Sequence, residues 1–149
     1  MVIERSCMGD LDKNPAVKAM VVFRKAMRTI DAQVAPSYKN NGLTQTQFAV
    51  LDVLYAKGEM TISRLIASIL ATSGNMTVVI KNMERNGWIY RSPNPDDRRA
   101  SVVGLTEVGK QLIQKALPDH IAMVEAAFSV MTEEEQLVLI DLLKKFKSL

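Results

Sequence analysis

Hydrophobic positions along this chain recur mostly at helical spacing, with one short interval where the period changes to two. From Asp12 to about Lys39, apolar residues fall at Ala16, Met20, Phe23, Met27, Ile30 and Val34, while Lys18, Arg24, Lys25, Arg28 and Asp31 lie largely elsewhere. That rhythm predicts a long amphipathic helix, with Pro15 in its first turn and Pro36 bending or breaking its end. Asn40-Asn41-Gly42 reads as a turn. Thr44-Gln45-Thr46-Gln47 then has the form of a capping box, launching a helix through Phe48, Val50, Leu51, Val53, Leu54 and Tyr55 to a stop near Gly58.

Two shorter helices follow. Thr61 to Leu70 is capped by Thr61 and turns Ile62, Leu65, Ile66, Ile69 and Leu70 inward. Thr72 to Asn86 is capped by Thr72 and ended by Gly87, with Met76, Val79, Ile80 and Met83 on its inner face. A joint of one or two residues between them predicts a helix-turn-helix. Trp88-Ile89-Tyr90-Arg91 then reads as a strand. Ser92-Pro93-Asn94-Pro95-Asp96-Asp97-Arg98-Arg99 reads as a long charged tip, and Ala100-Ser101-Val102-Val103 as the returning strand. Helix, turn, helix and charged hairpin together predict a winged helix-turn-helix.

After the wing, Thr106 opens a long helix to about Val130, kinked at Pro118. Thr132-Glu133-Glu134-Glu135 forms a second capping box whose acids suit the positive end of a last helix. That helix carries Leu137, Ile140, Leu143 and Phe146 and ends among Lys144, Lys145 and Lys147. The expected fold is mainly α, with six helices and a two- to three-stranded β wing. The first helix, the second half of the fifth and the sixth hold more apolar residues than a central three-helix lobe can cover. Val21, Val22, Ile121, Met123, Val124, Phe128, Val138, Leu139 and Leu142 are the surplus. An apolar surface of that extent predicts an interface, and a two-fold homodimer is the simplest form.

Composition narrows the reading. The 149 residues suit one domain, and 48% hydrophobic content rules out a disordered tail. Aromatic residues are few and methionines number nine, a mixture that suits helix packing. A net charge of +3 permits an anionic partner without proving one. The single cysteine, Cys7, excludes disulfides and thiolate metal clusters within the chain. No apolar run approaches membrane-spanning length and the N-terminus does not read as a signal peptide, so a cytoplasmic protein without a membrane partner is expected.

Duplex DNA is the expected partner. On the second short helix the face opposite the core carries Gly74, Val78, Lys81 and Arg85, flanked by Asn75, Thr77 and Asn82. Ser73 and Thr77 can donate to bases or phosphates, Asn75 can pair with adenine, and Val78 can meet a thymine methyl. Gly74 lets the backbone approach closely, while Lys81 and Arg85 suit phosphates. The start of the preceding helix, Thr61 to Arg64, offers free N–H groups with Ser63 and Arg64 beside them. A polar helix face taken alone is most simply solvated; the hairpin that follows gives it meaning. At the tip, Asp97 and Arg99 lie two apart, with Arg98 between them. An arginine held by a neighbouring acid is preorganised for a narrow, electronegative minor groove, and Asp97 can shape the turn while Arg99 reaches DNA.

These pieces in this order resemble the MarR family of bacterial and archaeal transcriptional regulators. The matching segments are Leu43-Thr44-Gln45-Thr46-Gln47-Phe48, Met83-Glu84-Arg85-Asn86-Gly87-Trp88-Ile89, Asp96-Asp97-Arg98-Arg99 and Leu105-Thr106-Glu107-Val108-Gly109. The resemblance implies one domain over 1–149, with a DNA-binding lobe at about 43–105 and dimerisation helices at about 12–39 and 106–149. It implies a homodimeric repressor, sometimes an activator. It also implies that Arg99 enters the minor groove, oriented by Asp97, and that Ser73, Asn75 and Val78 lie on the base-reading segment. Gly74 and Val78 depart from the pattern, since the family often carries larger polar or basic residues there. The family further implies a small anionic aromatic or lipophilic effector, bound between the dimerisation and winged lobes on methionine-rich surface.

Cys7 raises redox sensing as an alternative. Only Arg5 is a nearby cation, and Glu4 and Asp10 oppose a thiolate. The sensing cysteine of some relatives matches a position near Ala19, well downstream of Cys7, so ligand control is preferred. An enzyme is not expected, and no cofactor: His120 is the sole histidine, no second histidine or cysteine can complete a metal set, no nucleophile motif appears, and His120 reads as a partly exposed structural residue. A winged helix used only for protein contacts is the remaining alternative.

Overall fold

Threonine hydroxyls cap the starts of three helices, at Thr44, Thr61 and Thr132. In the computed structural model, which describes residues 13–69 and 76–148, the first helix, α1, spans Pro15–Lys39. It ends at Lys39 as expected and is not broken at Pro36. The proline gives up one backbone N–H, and the helix carries on for one more turn to Lys39. Its end is a Schellman closure: the Gly42 N–H reaches the Lys39 carbonyl at 3.0 Å and the Leu43 N–H reaches Tyr38 at 3.0 Å. Gly42 has φ of 72°, the left-handed region that glycine enters at little cost.

Helix α2, Gln45–Lys57, starts with the complete capping box at Thr44 and Gln47 and stops at Gly58. A two-residue strand β1, Met60–Thr61, precedes α3, Ile62–Ser68. Helix α4, Met76–Arg85, closes on Gly87 as α1 closes on Gly42, with Gly87 N–H to Glu84 O and Trp88 N–H to Met83 O, each 3.0 Å. Strands β2, Ile89–Pro93, and β3, Ser101–Leu105, form the hairpin. Helix α5 covers Glu107–Phe128 and runs through Pro118, and α6 covers Glu133–Lys144 from a second capping box at Thr132 and Glu135. A 3₁₀ turn, Lys145–Ser148, follows.

The three strands are antiparallel in the order β1-β3-β2. Ile89 pairs with Leu105, Tyr90 with Gly104 and Arg91 with Val103, and on the other edge of β3 Met60 pairs with Val103. β1 escaped the periodicity argument because two residues are too few to show a period. The fold is mainly helical, with six α-helices and one small sheet among the described residues.

The chain divides into two compact units, one of residues 35–126 and one made from the residues up to 34 with those from 127. The first has a closed core in which Val50, Leu51, Leu65, Ile80, Met83, Val103 and Ile113 are fully buried. Every helix from α2 to α5 contributes to it, so α3 and α4 are seated on one apolar mass. In the second unit, Val21, Val22, Phe23, Leu137, Val138, Leu142 and Phe146 are all exposed. Among its described residues, that unit leaves these large apolar side chains uncovered.

Candidate nucleic-acid interface

Helix α4 is amphipathic in the register expected from its sequence. Met76, Ile80 and Met83 are buried and Val79 half-buried, which turns Thr77, Val78, Lys81, Asn82 and Arg85 outward. Val78 is 54% exposed, a large fraction for an apolar β-branched residue on a helix whose other apolar residues point inward. Thr72, Ser73, Gly74 and Asn75, expected to cap and lead this helix, lie outside the described residues, as does Leu70. On α3, Ser63 and Arg64 are exposed. Thr61 caps the helix as expected, its Oγ1 accepting the Arg64 N–H at 3.3 Å, so that amide is already satisfied within the chain.

The wing tip is more ordered by local bonds than an eight-residue charged run suggests. Asn94 Oδ1 accepts the Asp96 N–H at 3.1 Å, and the Asn94 N–H returns to the Ala100 carbonyl at 3.1 Å. Asp97 Oδ1 accepts the backbone N–H of Arg99 at 3.0 Å. The expectation that Asp97 holds the arginine is corrected in one respect. The acid grips the main chain of Arg99 in an Asx turn, and among the described residues no ion pair joins the two side chains. Asp97, Arg98 and Arg99 are all exposed, so both guanidinium groups face outward from a turn whose backbone is pinned.

Beneath the tip, the hairpin is anchored by contacts that periodicity cannot reveal. Arg91 Nε lies 3.4 Å from Glu84 Oε2, joining β2 to the last turn of α4. The Tyr90 hydroxyl donates to a Glu59 carboxylate oxygen, just ahead of β1. That bond, then burial, then the nearby Glu59 charge all raise the Tyr90 pKa above 10.0. Thr106 ties the far end: its Oγ1 donates to the Gly87 carbonyl at 2.6 Å and accepts the Gly109 N–H at 3.1 Å. One hydroxyl therefore links the stop of α4 to the start of α5.

His120 is half-buried, as a structural residue should be. Its Nδ1 is 3.1 Å from the Ser37 Oγ, and its ring lies 4.4 Å from the ring of Phe48. Ser37 is buried. Burial lowers the His120 pKa below 6.5, and the charge of Asp52 opposes that shift. No group of three or more His, Cys, Asp or Glu among the described residues could hold a metal ion. No described helix is long and apolar enough to cross a membrane. Cys7 lies outside the described residues.

The helix pair and wing resemble known proteins in sequence as well as shape. Residues 43–101 match the MarR family. The Bacillus subtilis HTH-type transcriptional regulator YkoM is 36% identical over 83% of this chain and 80% of its own length. The regulator MhqR of the same organism is 33% identical over 87% of this chain and 90% of its own. Among solved structures, an E. coli MarR variant complexed with operator DNA superposes with a TM-score of 0.80 at 22% identity, covering 89% of this chain and 96% of that one. BpsR of Bordetella bronchiseptica superposes with a TM-score of 0.78 at 22% identity, covering 87% and 98%. These two share the fold. The sequence relatives are transcriptional regulators, not enzymes, and they span most of the chain. The protein belongs to the MarR family of winged helix-turn-helix transcriptional regulators.

Proposed function

We propose that this regulator is a homodimeric repressor, which binds a pseudo-palindromic operator in duplex DNA and is released by a small-molecule effector. One observation carries the DNA reading. The exposed face of α4, with Thr77, Val78, Lys81 and Arg85, belongs to the same compact unit as the pinned, outward-facing Arg98 and Arg99. A protein-interaction module has no need of that basic pairing. In the proposed docking, Thr77 and Val78 meet base edges in the major groove, and Thr72, Ser73, Gly74 and Asn75, which lie outside the described residues, are the further DNA contacts. Ser63, Arg64, Lys81 and Arg98 meet phosphates, which supply affinity without sequence information. Arg99 reaches the minor groove from a turn shaped by Asp97.

The dimer is supported by the uncovered apolar residues on α1 and α6, too many for a solvated surface of this size. A two-fold axis would set two recognition helices about one DNA turn (~34 Å) apart. Two structural neighbours bear on the partners: one is bound to operator DNA, and the DNA binding of BpsR is regulated by 6-hydroxynicotinic acid. A small anionic aromatic or lipophilic effector acting in the cytoplasm is the corresponding proposal here. Redox control through Cys7 is set aside because the sequence around it does not stabilise a thiolate.

The test is to select bound duplexes from a random pool with the full chain. The expected product is a pseudo-palindrome with half-sites about 10 bp apart, bound less tightly as salt rises. Recovery of no enriched sequence, with binding indifferent to salt, would overturn the reading.

A further inference from the structure

Successive residues of a β-strand point to opposite faces of the sheet, and strand β2 makes use of both. Ile89 is buried in the core, so Arg91, two residues on, faces the same side, where Glu84 of α4 meets it at 3.4 Å. Tyr90 faces the other side. There its ring lies across Gly104, its cross-strand pair, at the place a Cβ would otherwise occupy, and its hydroxyl donates to Glu59. Glu59 stands ahead of the helix-turn-helix and Glu84 near its end. Two consecutive residues of the wing are therefore gripped from opposite faces by acids from the two ends of the DNA-reading motif.

We propose that these two contacts form a clamp that aims the wing: Glu59, Glu84, Tyr90 and Arg91 are positioning residues that fix where Arg99 stands relative to α4. The inference rests on the DNA-binding reading above and deepens it. Strand β2 is an edge strand, held by a ladder to β3 alone, so the ladder does not fix the tilt of the hairpin against the helices. The tip lies on the order of 10 Å beyond Arg91, and a tilt of about 10° at the base shifts it by roughly 2 Å. A shift of that size takes a guanidinium out of hydrogen-bond reach. Both contacts are exposed, and an exposed ion pair adds little to global stability. Their effect is directional: an acid near a DNA-facing helix repels phosphate, and here each acid is occupied by a donor from the wing.

The experiment uses the full chain and two probes, a duplex selected by the wild type from a random pool and a shuffled duplex of equal composition. The quantity read is selectivity, the ratio of the two affinities. Tyr90→Phe keeps the ring over Gly104 and removes only the hydroxyl, and Arg91→Gln removes the ion pair. Each is expected to lower selectivity by about two- to five-fold while Arg99 is present. In an Arg99→Ala background the same changes should cost less than about 1.5-fold, because the clamp then has nothing to aim. Arg91→Lys, which keeps a cation beside Glu84, should recover most of the loss. Equal losses in both backgrounds would mean direct phosphate contact or general destabilisation, and would overturn the clamp. So would wild-type selectivity in both variants. Failure of the wild type to select any duplex would overturn the DNA-binding reading and the clamp with it, whereas selection followed by additive losses would overturn the clamp alone.

Discussion

Asp97 and Arg99 are joined through the main chain: the carboxylate of one accepts the backbone N–H of the other at 3.0 Å, and the guanidinium stays unengaged by that acid. The acid therefore acts on the shape of the tip and the arginine on whatever the tip touches. Asp97→Asn keeps an acceptor oxygen at the same place and should bind DNA nearly as the wild type does. Asp97→Ala should loosen the turn and weaken binding, by less than Arg99→Ala does. Fluorescence anisotropy on a selected duplex measures all three, and an Asp97→Asn loss as large as that of Arg99→Ala would assign the carboxylate charge a role of its own.

Gly109 sits in the first turn of α5 where any Cβ would fall against the backbone carbonyl of Trp88. At Gly104 the atom met is the side chain of Tyr90, which can swing aside. Gly109→Ala should accordingly destabilise the fold by about 1–3 kcal/mol, as overpacking against an unyielding neighbour does. Gly104→Ala should cost less in urea denaturation and should act instead on DNA selectivity through Tyr90.

The lowered pKa of His120 has a pH signature. Above about 6.5 the ring is neutral in both folded and unfolded chains, and the site contributes its full stability. As pH falls below 6.5 the unfolded state binds its proton first, so stability drops until the folded-state pKa is passed. Thermal melts of wild type and His120→Gln between pH 7.5 and 5 should diverge in slope, the wild type losing more. Parallel curves would mean that burial does not hold the ring neutral.

Dimerisation through the terminal helices predicts that charge placed on their exposed apolar residues breaks assembly. Val22→Glu or Leu142→Lys should lower the sedimenting mass toward that of one chain while leaving the core of residues 35–126 folded. Sedimentation equilibrium reads this directly; a wild type that is already a stable monomer at micromolar concentration would contradict the homodimer. Cys7→Ser, by contrast, should leave DNA affinity and its response to peroxide unchanged.

What could be read from the sequence is what is local. The capping boxes at Thr44 and Thr132, the stops at Gly58 and Gly87 and the inward face of α4 each depend on residues within about one turn of one another. The hairpin was legible because prolines and charges separate Trp88-Ile89-Tyr90-Arg91 from the β-branched Val102-Val103. The end of α1 at Lys39 was legible from its apolar rhythm, and Pro36, inside the last turn, does not break the helix. The long-range side-chain contacts were invisible for a different reason. Glu59 and Tyr90 are 31 residues apart, Ser37 and His120 83, and neither pair has a spacing rule. Even Glu84 and Arg91, closer in sequence, meet only because Gly87 reverses the chain between them.

The central claim is a docking geometry in which α4 reads the major groove and the wing reaches the minor groove. Comparing Arg99→Ala with Lys81→Ala on one selected duplex, across a salt series and with the A·T-rich flanks intact or replaced, tests it most directly. Arg99→Ala should cost about 1–3 kcal/mol, lost chiefly where the flanks are A·T-rich. Lys81→Ala should weaken all sequences alike and flatten the salt dependence by about one unit of slope. Arg99→Ala binding like the wild type, while substitutions on α4 abolish binding, would contradict the account and leave the wing as a folded hairpin only.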